Sequence, residues 1–294
     1  MILIDDLGLP EGPVLLPDGS WLVTELHPDR GCITRFDING QNRSRVAYTG
    51  RPNGLALDDD GAIWVAESMQ RSLLKMTLDG EYETIATDCD GAPFLWPNDV
   101  CVGPDGAVYM TDSGVLISDF LEDGSIVENW EELGLNGRVI RHDPMTGATT
   151  TIDDGYLFTN GIAFGPDGLL YVNETMTSNV YHYSLRGGEP QGERELFGNV
   201  LDPEFDARGG VCGPDGMAFD ENGLLYVTVF GQGDVTILDR GGATVRRIPT
   251  VGSSPTNVAF GPRNSKKIYV VDDEFSQMEV YEVGVDGHPL PGGA

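Results

Sequence analysis

The sequence predicts an all-β fold, a six-bladed β-propeller with four-stranded blades, and three observations carry that reading. A polar residue opens a short apolar run six times: EGPVLL from Glu11, NGLALD from Asn53, NDVCVG from Asn98, NGIAFG from Asn160, DGMAFD from Asp215 and NVAFGP from Asn257. In five of the six a glycine follows eight residues later (Gly19, Gly61, Gly106, Gly168 and Gly223), with Ser265 in that place in the sixth. An aromatic and β-branched run comes next each time: SWLVTE, IWVAES, VYMTDS, LYVNET, LYVTVF and IYVVDD. Successive openings are 42, 45, 62, 55 and 42 residues apart. Periods of roughly 40–50 residues holding several strands are the mark of propeller blades. A chain of 294 residues would otherwise suggest about two domains; the repeat makes residues 1–294 a single one.

Within each unit, strand one starts at the polar register residue and is nearly continuously apolar, as a strand buried on both faces requires. The turn that follows is PDG at Pro17–Gly19, Pro104–Gly106 and Pro166–Gly168, DDG at Asp59–Gly61 and ENG at Glu221–Gly223. Glycine supplies the positive φ such turns need. Strand two is the aromatic run. Strand three reads CITRFD, LLKMTL, RVIRHD, NVYHYS, DVTILD or MEVYEV, and a weaker outer strand such as YETIAT or ATVRRI follows. The sixth unit ends HPLPGGA after MEVYEV and lacks an outer strand, while Ile2–Ile4 precede the first unit as a spare one. Pairing the two closes the ring and removes an exposed edge.

Two insertions interrupt the spacing, Ser113 to Gly137 and about Arg186 to Gly213. Both are expected to overhang the face where the register residues lie. The first would form a lid presenting Leu116, Ile117, Phe120, Leu121 and Trp130, with VENWEELG as a short helical turn. Loops on a rigid scaffold commonly carry binding residues.

The balance of 47 acidic against 18 basic residues gives a net charge of −29. Nucleic acid and anionic membrane surfaces are therefore excluded as partners, since no basic patch exists to displace counterions. There is no apolar run of about 18 residues to span a bilayer, and MILIDDLGLPEG, without a basic region before an apolar stretch, is not expected to act as a signal peptide. The four cysteines (Cys32, Cys89, Cys101, Cys212) show no metal-binding spacing. A cytoplasmic protein with reduced thiols, monomeric or a small homo-oligomer, is the expectation, with Cys101 as a small buried apolar residue. His142 and His182 are expected on blade surfaces.

Strand-one starts line a propeller's axis, so Glu11, Asn53, Asn98, Asn160, Asp215 and Asn257 should converge there. Asparagine is poor in strands; four at one repeated position need a reason. One is local capping of the backbone at blade junctions. That leaves Glu11 and Asp215 unexplained, because two carboxylates near a closed axis repel unless a proton or cation intervenes. Carboxylates beside amide carbonyls suit a hard cation, foremost Ca2+, at about 2.3–2.6 Å. No histidine or cysteine joins the register, against a typical structural zinc site. No nucleophile elbow or phosphate-binding loop is present. The acids ending strand two (Glu25, Glu67, Asp112, Glu174, Asp272) are expected as interblade hydrogen-bond acceptors, with Asp112 a candidate to support a ligand or touch substrate.

The motifs EGPVLLPDGSWLVTE, WPNDVCVGPDGAVYMTD, TNGIAFGPDGLLYVNET and GPDGMAFDENGLLYVT resemble those of the senescence marker protein (regucalcin), gluconolactonase and luciferin-regenerating enzyme family, and more distantly diisopropyl fluorophosphatase. The resemblance spans nearly the whole chain. It implies a six-bladed propeller with one divalent cation on the axis, Ca2+ foremost, with Zn2+, Mn2+ or Mg2+ as alternatives. It implies Glu11, Asn98, Asn160 and Asp215 as metal ligands, Asn98 as a substrate-binding asparagine and Asp215 as general base. Sugar-lactone members often carry an arginine two residues before the asparagine of PND; here that residue is Trp96. Trp96 is thus either a substrate contact or interblade core, and a substrate less polar than a sugar lactone becomes a candidate. The expected function is metal-dependent hydrolysis of a small-molecule lactone or ester. The alternatives are a phosphotriesterase-like hydrolase on the same metal site and a non-catalytic calcium-binding propeller.

Overall fold

The computed structural model describes residues 1–122, 124–205 and 211–292. Six four-stranded antiparallel sheets form its blades. Blade one holds Pro10–Leu15, Trp21–Glu25, Cys32–Phe36 and Ser44–Tyr48; blade two holds Pro52–Leu57, Ile63–Glu67, Ser72–Met76 and Tyr82–Ala86. Blade three holds Pro97–Val102, Val108–Asp112, Gly137–His142 and Thr149–Tyr156; blade four holds Thr159–Phe164, Leu170–Glu174, Asn179–Tyr183 and Glu195–Asn199. Blade five holds Gly213–Phe219, Leu225–Phe230, Asp234–Leu238 and Thr244–Pro249. Blade six takes Pro255–Phe260, Lys267–Asp272 and Gln277–Glu282, with Ile2–Ile4 as its outer strand.

The closure is the one the sequence predicts. Ile2 stands opposite Glu279 and Ile4 opposite Met278, and the Val280 N–H donates to the Met1 carbonyl at 2.7 Å. Strand one of each blade touches strand one of the next around the ring, from blade six back to blade one. Strand two is buried over its central residues in every blade, whereas the outer strands of blades one, two, four and five are mostly exposed. That contrast explains why strand two is aromatic and β-branched while the outer strands are polar.

Six apolar clusters make up the body of the molecule, each drawn from two neighbouring blades. At the closing junction Trp21 of blade one packs against Tyr269 of blade six, ring centroids 4.5 Å apart. The five turn glycines have positive φ, from 75° at Gly106 to 84° at Gly19. In the sixth turn the left-handed residues are Asn264 and Lys266 instead.

Three expectations change. The segment from Arg186 to Gly213 is not one insertion. It contains a small hairpin pairing Leu185–Arg186 with Glu189–Pro190 and then the outer strand of blade four, Glu195–Asn199. That strand is half exposed and weakly apolar, so its pattern does not stand out. The hairpin joins strands three and four, at the end opposite the register residues. Only the connection after residue 199 lies on their face, and residues 206–210 of it are outside the described residues, as is residue 123 of the first insertion. Second, His142 is not on a surface: it is 5% exposed and packs on Trp64, and burial lowers its pKa. Third, Cys101 is only partly buried, and all four cysteines are free thiols. No helix among the described residues is long and apolar enough to cross a membrane.

Deleting Ile2–Ile4 bares the edge of Gln277–Glu282. The truncated protein should melt at lower temperature and scatter light on incubation at concentrations where the full chain stays clear. Equal melting and scattering would show that this strand is dispensable for closure.

Candidate metal centre

The six register side chains sit at the second or third residue of strand one in their blades. All are buried, with exposures of 4% (Asn53) to 9% (Asp215). Neighbouring blades hold their backbones. Thr24 Oγ1 donates to the Asn53 carbonyl at 2.8 Å, Thr111 Oγ1 to that of Asn160 at 2.7 Å, and Asn173 Nδ2 to that of Asp215 at 2.6 Å. The glycine after a register residue makes room for the next blade. A Cβ at Gly161 would lie 2.3 Å from the Asp215 carbonyl oxygen, and one at Gly216 2.2 Å from Asn257 Cγ.

The side chains are oriented by hydrogen bonds of their own. Glu11 Oε2 accepts from the Gly12 N–H at 2.7 Å and from Asn257 Nδ2 at 2.9 Å. Asn257 Oδ1 in turn accepts from the Val258 N–H at 2.8 Å, so Asn257 serves to position Glu11. Asn98 Nδ2 donates to Ser113 Oγ at 3.0 Å and Asn160 Nδ2 to Thr175 Oγ1 at 3.3 Å. With the amide nitrogens turned toward hydroxyls, the two carbonyl oxygens are left for another partner. Among the described residues no three His, Cys, Asp or Glu side chains are placed to hold a metal. A cation here would need the Asn98 and Asn160 carbonyls beside Glu11 and Asp215, a donor set whose chemistry fits a hard, oxygen-seeking ion.

Three further ionisable groups face this centre and were missed in the sequence: Asp99, Asp273 and Arg51. Asp99 Oδ1 accepts from the Val100 N–H at 2.8 Å and Oδ2 from the Ile162 N–H at 3.3 Å. It stands where blades one, two, four and five carry the glycine after the register residue. Asp273 follows the last residue of strand two in blade six, and its Oδ1 is buried without a hydrogen-bond partner. Arg51 lies two residues before Asn53. Its guanidinium is 5.3 Å from the Trp96 ring centroid.

With no cation bound, burial raises every carboxyl in the group, and repulsion from Glu11 adds to it at Asp99, Asp215 and Asp273. Glu11 is raised by burial, and Asp215 well above the usual range by burial and by Glu11. Asp99 is pushed up to about 7 by burial and Glu11, and Asp273 to about 8 by the same causes. Burial draws the Arg51 pKa down, opposed by Asp273, Glu67 and Glu11. Two carboxylates implied by the register pattern are thus four in the folded molecule.

Asp112 and Trp96 each have structural partners of their own. Asp112 is fully buried and accepts from the Leu95 and Trp96 N–H groups at 2.9 Å each, while pairing with Arg138 at 2.5 Å. Glu67, Glu174 and Glu25 do the same, gripping N–H groups of Arg51, Leu157 and Gly8. These acids therefore fix the chain leading into their own blade rather than bridging to the next one. Trp96 is 5% exposed and meets Phe120 and Phe158 edge-on, centroids 6.0 and 5.2 Å away. It packs in the aromatic cluster under the expected lid, with its Nε1 buried and without a hydrogen-bond partner among the described residues. Phe120 belongs to the expected lid, whose Ile117, Leu121 and Trp130 pack on the same cluster beside the starts of blades three and four. The short helical turn expected in VENWEELG is the 3-10 turn Trp130–Leu133.

A cavity of about 590 Å³ occupies the opposite half of the axis, walled by the later residues of strand one. Asp99 and Asn257 stand at its inner end and His288–Pro291 at its outer one. Glu11, Asn98, Asn160 and Asp215 do not line it, whereas Asp99, one of the raised carboxyls, does.

Residues 9–272 match the family model described as SMP-30/Gluconolactonase/LRE-like region. A gluconolactonase of Zymomonas mobilis is 30% identical over 247 residues, 78% of this chain and 67% of that protein. A diisopropyl-fluorophosphatase of Loligo vulgaris is 24% identical over 95% of this chain and 90% of that one. Among solved structures, a calcium-binding protein, regucalcin, from Agrobacterium tumefaciens superposes with a TM-score of 0.77 at 20% identity, covering 99% of this chain and 96% of its own.

The raised carboxyls have a consequence for stability. A carboxyl raised above its unfolded value binds more protons in the folded state, so folding weakens as pH rises from about 4 through the folded pKa. In chelator, the melting temperature of Asp273→Asn relative to wild type should therefore rise between pH 5 and pH 9. A constant difference across that range would contradict the raised Asp273.

Proposed function

The chain belongs to the SMP-30/gluconolactonase/LRE-like family, and from that premise we propose that it is a metal-dependent hydrolase that opens lactone rings. The observation that carries the reading is the pair of buried carboxyls, Glu11 and Asp215, flanked by two asparagines whose amide nitrogens are tied to Ser113 and Thr175. The relative named gluconolactonase supports lactone hydrolysis as the reaction class.

Glu11, Asn98, Asn160 and Asp215 would hold the cation, Ca2+ by the chemistry of the set, with Zn2+, Mn2+ or Mg2+ as alternatives. When bound, such a cation supplies Lewis-acid polarisation of a carbonyl. Asp215, as carboxylate, accepts a proton from the water whose oxygen attacks the lactone carbonyl carbon. Its place beside Glu11 favours the ionised state only when positive charge offsets the repulsion between them. Asn98 orients the substrate, and Ser113 keeps its amide from rotating. The ring C–O bond breaks and the hydroxy acid leaves with the proton restored to its alkoxide.

The likeness to a diisopropyl-fluorophosphatase along nearly the whole chain favours one second reading, phosphotriester or phosphofluoridate hydrolysis on the same centre. A panel of lactones and phosphotriesters followed by acid release, with and without EDTA, separates the two. Lactone opening that EDTA abolishes and Ca2+ restores is the expected result. Tight Ca2+ binding with no turnover of either class would instead favour a non-catalytic propeller.

Asp215→Asn should lower kcat by about 10²- to 10⁴-fold, the range for removal of a positioned general base. Glu11→Gln should weaken metal affinity by at least about 10-fold while leaving the fold intact, as read by bound metal in mass spectrometry and by circular dichroism. Full activity in chelated Asp215→Asn protein would end this assignment.

A further inference from the structure

The cavity in the far half of the axis is crossed at its outer mouth by the last described stretch of the chain. That stretch is fixed first to blade five. The Glu221 N–H donates to the Asp286 carbonyl at 2.9 Å, Gly287 bridges to Asp220, and the His288 N–H donates to the Phe219 carbonyl at 2.9 Å. A short way on, the Gly292 N–H donates to Asp59 Oδ1 of blade two at 2.7 Å. Blades two and five stand opposite each other in the ring of six. The segment from His288 to Gly292 reaches at most roughly 14 Å when fully extended, so it crosses the mouth rather than following its rim. Pro289 and Pro291 stiffen it by fixing φ. Both anchors close on glycines: a Cβ at Gly287 would lie 2.4 Å from Phe260 Cβ, and one at Gly292 2.3 Å from the Asp58 carbonyl oxygen.

Behind this strap the walls are apolar. Val14, Leu55, Val100, Ile162, Met217 and Val258, one from each blade, line a space of about 590 Å³. An apolar cavity of roughly 150 Å³ is already enough to take up benzene. The polar groups at the inner end are engaged: Asp99 accepts from the Val100 and Ile162 N–H groups, and Asn257 bonds to Glu11 and to the Val258 N–H. Water inside therefore finds few partners on the wall, and displacing poorly held water with an apolar body gains affinity. An anion would meet the Asp99 carboxyl, because Arg263, the one Lys or Arg among the lining residues, stands in the turn at the outer end. A cation would have only Asp99, whose oxygens already hold backbone N–H groups. Charge left unpaired in such a place is costly. We propose that this cavity is a binding site for one uncharged, apolar molecule, retained by the His288–Gly292 strap. The site goes beyond the hydrolase reading and does not rest on it.

The test uses N-phenylnaphthylamine, which is uncharged and fluoresces in apolar surroundings, and anilinonaphthalene sulfonate, the same body with an anionic group. The neutral probe should bind once per chain, and the sulfonate at least about 10-fold more weakly. Ala163 and Ala259 line the cavity; Ala163→Phe and Ala259→Phe should each abolish binding while circular dichroism stays unchanged. Cys101 lines it too and is half-buried, whereas Cys212 does not. In the unaltered protein, saturating neutral probe should therefore slow alkylation of Cys101 by N-ethylmaleimide at least about 10-fold and leave Cys212 unaffected, read residue by residue in mass spectrometry. Deleting residues 288–294 should speed release of the probe about 10-fold or more in stopped flow. Absent binding, sulfonate binding as tight as that of the neutral probe, binding that survives both filling substitutions, or Cys101 modification indifferent to the probe would each overturn the site. An unchanged release rate in the shortened chain would overturn the retaining role of the strap.

Discussion

The axial site depends on how each blade grips the backbone of the next. Thr24, Thr111 and Asn173, all in strand two, bond to the carbonyls of Asn53, Asn160 and Asp215 in the following blade. Thr228 and Thr256 continue the seam to the carbonyls of Thr256 and Pro10. Each bond is buried, and breaking one would leave a carbonyl without a partner in a region short of water. In blades two and six Ala66 and Val271 stand where the other four carry a hydroxyl or amide; in blade six Thr256 of strand one makes the bond instead, and in blade two no side chain among the described residues does. In blade two Gly54 admits the neighbour directly: a Cβ on it would lie 2.6 Å from Asp99 Cα. Side-chain hydrogen bonds and missing side chains thus solve the same problem, bringing six strand starts together without a central core of their own.

That convergence has an electrostatic cost, which the centre then uses. Glu11, Asp99, Asp215 and Asp273 are all raised, and Arg51 opposes the rise at Glu11 and Asp273. Protons or an external positive charge must offset such a concentration of carboxyls. Hydrogen bonds divide the labour. Asn257 spends both ends of its amide on Glu11 and the backbone, while Asn98 and Asn160 spend only their nitrogens. Chemically identical residues at one repeated position therefore differ in what they have left to offer.

The propeller was legible because blade geometry repeats: the eight-residue step from register residue to turn glycine is a property of strand length and turn type. The closure by Ile2–Ile4 was legible for the same reason, as a missing strand and a spare one. The outer strand Glu195–Asn199 was not, since it faces water and owes its place to hydrogen bonds rather than to apolar pattern. At the site, the six register residues were readable, but the repeat drew attention away from its own exceptions. Asp99 breaks the rule that glycine follows the register residue, and Arg51 repeats the offset of Trp96 one blade earlier. Asp273 gave no comparable sign, because its approach to Glu11 comes from blade six meeting blade one around the ring. The roles of Trp96 and Asp112 turned on burial: both stand beside the site in sequence, yet one lies in an aromatic cluster and the other holds the backbone.

The acids that end strand two grip peptide N–H groups, at Arg51 through Glu67 and at Trp96 through Asp112. Every residue except proline offers that N–H, so the grip is blind to the side chain it carries. Position 51, outside that aromatic cluster, can therefore carry another side chain while the path of the chain stays fixed. A propeller wired in this way can vary side chains at such anchored positions, leaving the acids, the glycines and the seam between blades untouched.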